Sequence, residues 1–332
     1  PLMAFIGNFG YVAVCVMGAV LTMKGYIGFE VIVAFMMYIR LFTQPLAQIA
    51  QATQSLQSAA AAGERVFAFL EAEEMSDESD KTEKLDKAEG YVDFEHVKFG
   101  YEDTDKIIIH DFSCYVKPGQ KVAIVGPTGA GKTTMVNLLM RFYDINKGSI
   151  KIGGKDLKQI NSQSIRRVSG VVMQNNYIFS GTLKDNIILG LKQNKNTIDM
   201  ALESACLKQF ICNHPLGIET KLGNEGIGVS GGEKQRIMIA RAIYKQPLYF
   251  MMDEATSSLD AETEKIITEN LSNFCKERTM IVIAHRLSTI KNADNIIVLR
   301  HGKIIEMGNH LQLVALKGYY YELIKNQLEL EK

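Results

Sequence analysis

Eight residues, GPTGAGKT at Gly126–Thr133, fit the pattern G-x-x-x-x-G-K-[ST]. Glycines at those positions let backbone N–H groups close around the phosphates of a nucleotide. Lys132 supplies charge to the β and γ oxygens, and the Thr133 hydroxyl reaches Mg²⁺. The nucleotide-binding set expected here is Gly126, Pro127, Thr128, Gly129, Ala130, Gly131, Lys132 and Thr133, with Thr134 beside it. A second stretch, LYFMMDE at Leu248–Glu254, ends an apolar run on two carboxylates. Asp253 is placed to hold Mg²⁺. Glu254, one residue on, turns the other way and can act as the base for an attacking water.

A third stretch, VSGGEKQR at Val229–Arg236, again looks like a phosphate site. Ser230, Gly231, Gly232 and Glu233 open a helical run, and the N–H groups of a helix start favour an anion. One chain cannot wrap both glycine elements around one ATP if each caps its own distant helix. A second copy can: the first loop of one subunit holds the nucleotide and Ser230–Gly232 of the other covers its γ-phosphate.

These residues need a scaffold, and the surrounding pattern supplies one. KVAIVG (Lys121–Gly126) is a short buried strand feeding the glycine loop. LYFMMD, TMIVIAH (Thr279–His285) and NIIVLR (Asn295–Arg300) are further apolar runs, separated by helical stretches or turns. This is an α/β pattern with a mainly parallel sheet. Upstream, YVDFEHVKFGY alternates like a half-buried strand and IIIHDFSCYV reads as its partner.

The N-terminal part differs. Phe5–Met23 carries no charge in 19 residues, which is roughly 28 Å of helix against a hydrocarbon core of about 30 Å. Gly7, Gly10 and Gly18 suit close helix contacts in lipid. Val31–Ile39 is too short to span alone, but the helical pattern runs on through Arg40, Gln44, Pro45 and Gln48, and past Gln54 leaves the membrane. Polar groups at such depth must face protein or water. Glu71–Glu89 has 12 charged residues in 19 and reads as a solvated linker. The expected domains are therefore 1–75 (two membrane helices), 76–90 (charged linker) and 91–332 (nucleotide-binding domain). A formal net charge of +0 gives no electrostatic case for nucleic acid. Cys15, Cys114, Cys206, Cys212 and Cys275 show no CxxC spacing and read as reduced, mostly buried thiols.

The order GPTGAGKTT, Gln174, VSGGEKQR, LYFMMDEATSSLD, IAHRLST resembles the ATP-binding domain of an ABC transporter. PLMAFIGNFGYV and FTQPLAQIAQATQSLQSAAAAGERVF resemble the last two spanning helices of an exporter half-transporter of the multidrug and lipid type. The resemblance implies an α/β fold: a P-loop, RecA-like ABC ATPase domain with an antiparallel β layer and a helical signature subdomain, preceded by transmembrane α-helices. It implies ATP and Mg²⁺ as cofactors, and ATP-driven export of a drug, lipid or peptide. It implies a second half-transporter subunit, in a homodimer or heterodimer, with the signature serine and glycines acting in trans. It implies a multi-pass cell-membrane protein with the ATP-binding domain in the cytoplasm, in contact with membrane lipid and not with nucleic acid. Carried over by position, Tyr101 stacks on adenine and Gln174 senses the γ-phosphate, helps hold the metal and links to the membrane helices. Asp260 reaches across the dimer interface and His285 contacts the γ-phosphate.

Three positions depart from the pattern. Val229 stands where leucine is usual and Glu233 where glutamine is commoner. Asn224 holds the usual glutamate position before the signature, with Glu225 displaced by one. The chain begins without methionine and is four spanning helices short of the family's six. As given, it is expected to be a fragment that binds and can hydrolyse ATP but does not transport. The competing readings are a soluble ABC ATPase acting on nucleic acid or ribosomes, which the 19-residue apolar run disfavours, and an importer ATPase, whose membrane helices normally lie on another chain.

Overall fold

The computed structural model describes residues 2–72, 78, 81, 85, 89–101, 106–175, 177–223, 226–256, 258–284 and 286–330, with side chains from residue 5 to 325. His285, Asn224, Glu225 and most of the charged 73–88 stretch lie outside the described residues. The chain divides into two compact units, Pro1–Ser76 and Asp77–Lys332.

The first unit is a helical hairpin of α1 (Leu2–Met23) and α2 (Phe29–Leu70). Both are long and apolar enough to cross a membrane, and only 6% of each apolar window is buried in the protein. That is the opposite of a soluble core helix, whose apolar face is covered. The three glycines lie along the contact with α2. Gly7 faces Thr43, Gly10 faces Ile39, and at Gly18 an added Cβ would stand 2.8 Å from Ile32 Cγ1. The two numberings run in opposite directions, so the helices are antiparallel. Arg40 lies over the Tyr11 ring, 5.8 Å from its centroid, so its charge has a partner within the hairpin. α2 continues unbroken through Pro45 for 42 residues, about 63 Å at 1.5 Å per residue.

The second unit is built on a ten-stranded sheet. Its strands are β1 (Val92–Gly100), β2 (Ile107–Val116), β3 (Lys121–Val125), β4 (Lys147–Ile152), β5 (Lys155–Asp156) and β6 (Ser169–Val172), then β9 (Tyr249–Asp253), β10 (Thr279–Ile283), β11 (Asn295–Arg300) and β12 (Lys303–Gly308). The spatial order is β5-β4-β1-β2-β12-β11-β3-β10-β9-β6. β11, β3, β10, β9 and β6 pair in parallel. β5, β4, β1 and β2 pair antiparallel and form the expected β layer. Strands β4, β6 and β12 are not among those read from the sequence. β7 (Gly181–Thr182) and β8 (Lys221–Leu222) form a separate two-stranded ribbon.

Helices flank the parallel strands: α3 (Lys132–Leu139), α4 (Ser162–Val168), α9 (Ala261–Phe274), α10 (Leu287–Lys291), α11 (His310–Leu316) and α12 (Tyr319–Leu330). The helical subdomain is α5 (Leu183–Ile188), α6 (Lys195–Ser204), α7 (Lys208–Cys212) and α8 (Gly231–Tyr244). Alternation splits each central strand between two cores. Phe250 and Met252 of β9 join the core under α8 and α9, while Tyr249 and Met251 join that under α3. Strands buried on both faces read as continuous apolar runs for this reason.

Two described residues of the charged stretch are not solvated. Leu85 is buried in the second core. The Glu78 carboxylate accepts from Ser162 N–H at 2.8 Å and pairs with Arg141 at 2.8 Å and Lys81 at 3.1 Å. Burial would raise the Glu78 pKa, but these donors outweigh it and hold it at about 2. Cys114 and Cys275 are buried as expected, whereas Cys212 is exposed.

Candidate active site

β3 lies between β11 and β10 among the parallel strands and delivers the glycine loop to their C-terminal ends, where ligands of α/β sheets bind. Two of the glycines are required by the backbone. Gly126 has φ +152°, and an added Cβ would stand 2.1 Å from Leu299 O of β11. Gly131, the N-cap of α3, has φ +100° and would drive a Cβ to 2.6 Å from Ile109 Cδ1. The loop is braced by Ala130 N–H donating to Pro127 O and by Gly302 N–H donating to Ala130 O.

Lys132 folds back into this loop, its ammonium donating to Gly126 O at 2.8 Å and Pro127 O at 3.0 Å. Burial pulls its pKa below the ordinary lysine value, while the carboxylates of Glu254 and Asp253 act the other way. The loop thus stores a dehydrated cation where phosphate oxygens would arrive. Thr128, Gly129 and Thr133 are exposed at the mouth, while Ala130 and Thr134 are buried behind it.

Tyr101 approaches α3 from the β layer, its hydroxyl 3.4 Å from Thr134 Oγ1. Its ring packs edge-on against Tyr143, with centroids 4.9 Å apart. Tyr143 is an exposed aromatic that the sequence reading missed. Its signal was an aromatic pair, Phe142–Tyr143, just past the end of the P-loop helix.

Asp253 closes β9 and is buried. Glu254 follows at φ +51°, in the left-handed region that non-glycine residues avoid, and its N–H donates to Ile283 O at 3.1 Å. Such strain persists only where the surroundings enforce it, and it concentrates at functional sites. Gln174 emerges just beyond β6, beside β9, and its Nε2 donates to Glu254 Oε2 at 3.2 Å. Residues 80 positions apart are brought together because their strands are parallel neighbours.

Ser230 is the N-cap of α8 and forms a reciprocal capping box with Glu233. Glu233 N–H donates to Ser230 Oγ at 3.3 Å, and Ser230 N–H donates to Glu233 Oε2 at 2.7 Å. Burial would raise the Glu233 pKa, but the Ser230 donors hold it below the usual glutamate value. The Glu233 departure therefore has a local physical use, since a carboxylate is a strong acceptor at a helix start. Ser230 and Gly231 are exposed. Asp260 caps α9, accepting from Thr263 N–H at 2.9 Å.

Two residues of α8 that the sequence reading did not single out tie it to the rest of the site. Gln235 is buried between Glu254 and Ser258. Arg241 donates to Asn186 O at 2.7 Å and lies over the Phe179 ring, 5.4 Å from its centroid. It thereby fixes the segment that follows Gln174.

Residues 109–257 match the model of the ABC transporter family. The chain carries the ATP-binding domain of an ABC transporter. It is an ATPase domain, with the glycine loop, the Asp253–Glu254 turn and the signature helix described above. A fatty acid ABC transporter ATP-binding/permease protein of Mycobacterium tuberculosis is 44% identical over 98% of this chain and 51% of its own length. An ATP-dependent lipid A-core flippase of Syntrophus aciditrophicus is 36% identical over 100% of this chain and 55% of its own. A bacterial Atm1-family ABC exporter, solved with ATP bound, superposes with a TM-score of 0.71 at 34% identity, covering 91% of this chain and 53% of that one. The chain spans about half the length of the curated relatives it matches. The similarity extends through the apolar hairpin, so the relatives share both units.

Proposed function

We propose that this chain is the ATP-binding end of an exporter half-transporter, a multi-pass membrane protein whose nucleotide domain lies in the cytoplasm. The observation that carries the reading is the joining, in one chain, of an apolar hairpin left uncovered by protein to an ATPase domain with two separate glycine-containing helix starts. The relatives' names place fatty acids and lipid A among the cargoes of such proteins. A lipid or another amphipathic molecule is the cargo class we assign.

Lys132 and the loop N–H groups bind the ATP phosphates, and Tyr101, backed by Tyr143, stacks on adenine. The oxygen donors Thr133, Gln174 and Asp253 suit Mg²⁺, which takes few protein ligands when phosphates supply the rest. Held there, Mg²⁺ would supply positive charge against the phosphate oxygens. Glu254 accepts a proton from the attacking water, and Gln174 orients its carboxylate. Ser230–Gly232 cover the partner's γ-phosphate, Asp260 reaches across the interface, and His285 contacts the γ-phosphate.

Complementation in a full-length homodimer tests the composite site. Lys132→Ala damages a site through its loop, and Ser230→Arg damages one through its cover. A dimer with one subunit of each kind collects both lesions in one site and leaves the other intact. Activity absent from both mutant homodimers should return in the mixture. With mixed dimers shown to form, hydrolysis no higher than in the homodimers would refute the trans arrangement.

A further inference from the structure

We infer that Gln235 is a positioning residue that couples the two ATP sites, by tying each subunit's own Glu254 to the helix that covers its partner's ATP. This rests on the composite-site reading above.

Gln235 lies in the second turn of α8, five residues after Ser230, with 1% of its surface exposed. A buried amide is kept where its donors and acceptor are used. Here its Nε2 donates to Glu254 O at 3.4 Å and its Oε1 accepts from Ser258 N–H at 3.0 Å. Glu254 N–H is already held by Ile283 O. The residue is therefore gripped on both sides, by β10 through its N–H and by α8 through its carbonyl. That grip fixes the backbone, at φ +51°, from which its carboxylate starts.

The same turn packs directly on the start of α8. A Cβ added to Gly232 would stand 3.1 Å from Ser258 O and one on Gly231 would stand 3.7 Å from Ser258 Cβ. The approach is tight at Gly232, where a side chain would force the turn after β9 to give, and Gly231 lies one ordinary contact away from it. α8 is a 14-residue helix and moves as a rod. When the partner's ATP draws in the start of α8, exposed at Ser230 and Gly231, the displacement reaches Glu254 through Gln235. Occupancy of one site thus aligns the base of the other, and by linkage the coupling acts in both directions. A residue that merely filled this space would serve equally well as an apolar side chain of the same volume.

Gln235→Met keeps the volume and removes the amide. The experiment uses full-length mixed dimers in which one subunit carries Glu254→Gln, so that a single glutamate turns over. With Gln235→Met on the subunit that keeps Glu254, kcat should fall about 10–10²-fold, the cost of misplacing a reacting group by about an ångström. KM for ATP should stay within about threefold, because the glycine loop is untouched. With Gln235→Met on the Glu254→Gln subunit, kcat should stay within about threefold of the control. Adding Lys132→Ala to the Glu254→Gln subunit empties the neighbouring site. That should slow the dimer with native Gln235 and leave the one with Gln235→Met beside the active glutamate unchanged.

Equal losses in both placements, a loss only in the second, or no loss in either would overturn the inference, as would equal slowing by the emptied site with and without Gln235. The Lys132→Ala and Ser230→Arg mixture separates the two readings. If it regains activity while the Gln235 results fail, only the coupling is lost. Its reference is the dimer whose Glu254→Gln subunit also carries Lys132→Ala, which has the same emptied neighbour; hydrolysis well below that reference makes the composite site and the coupling fall together.

Discussion

Glu254 combines the chemical and the conformational cost of this site in one residue, and two substitutions separate them. Glu254→Gln removes the base while keeping the side-chain volume, the backbone angle and a contact for Gln174. If Glu254 activates water, turnover should drop about 10²–10⁴-fold, a barrier increase of about 3–6 kcal/mol at about 1.4 kcal/mol per decade. Glu254→Gly removes the same base, so its turnover should fall as far. It also relieves a non-glycine residue of φ +51°, which costs about 1–2 kcal/mol. Glycine's extra freedom in the unfolded chain takes back about 0.5–1 kcal/mol. The glycine variant should therefore be as stable as the glutamine variant or more so, by up to about 1.5 kcal/mol. At most that is about 3–6 °C in Tm for a domain of this size. Phosphate release at saturating ATP measures the first effect, and thermal unfolding of the two variants side by side measures the second. Glutamine-variant turnover within threefold of the parent would remove Glu254 from the role of base. A glycine variant melting well below the glutamine variant would show that the turn is not strained.

Two further outcomes follow from the geometry. Gly126→Ala places a methyl 2.1 Å from Leu299 O, so the loop must move; ATP binding by equilibrium titration should be lost and stability should drop by more than about 1 kcal/mol, and retained binding would mean the cradle is pliable. Glu78 has its pKa lowered from 4.5 to about 2 in the fold, so its stabilisation is fully present above 4.5 and is lost as pH falls through about 2. The stability gap between the parent and Glu78→Gln, read from urea unfolding, should shrink on acidification across that window; a gap independent of pH would contradict the buried Arg141 pairing.

What the sequence determined by itself is what short segments determine. The phosphate loop is eight consecutive residues, and its glycines, Lys132 and helix start need only their own neighbours to act. The same holds for the Ser230 cap, the apolar runs that became β3, β9, β10 and β11, and the uncharged stretch that became α1. The family resemblance was legible because such local motifs kept their order along the chain. The tertiary structure decided everything that depends on pairing across distance. β4, β6 and β12 escaped notice because four to six residues with little alternation carry almost no signal until a neighbouring strand fixes them. The contact of Gln174 with Glu254 exists because β6 and β9 lie side by side. Glu78 and Leu85 read as solvated because their segment is charged, yet Arg141, Ser162 N–H and an apolar core wait for them. Gln235 carries no signal of its own in the helical run after Ser230. Only the turn after β9, folded against that helix, makes it a buried link, because a hydrogen bond has no direction in sequence until both of its partners have a place in space.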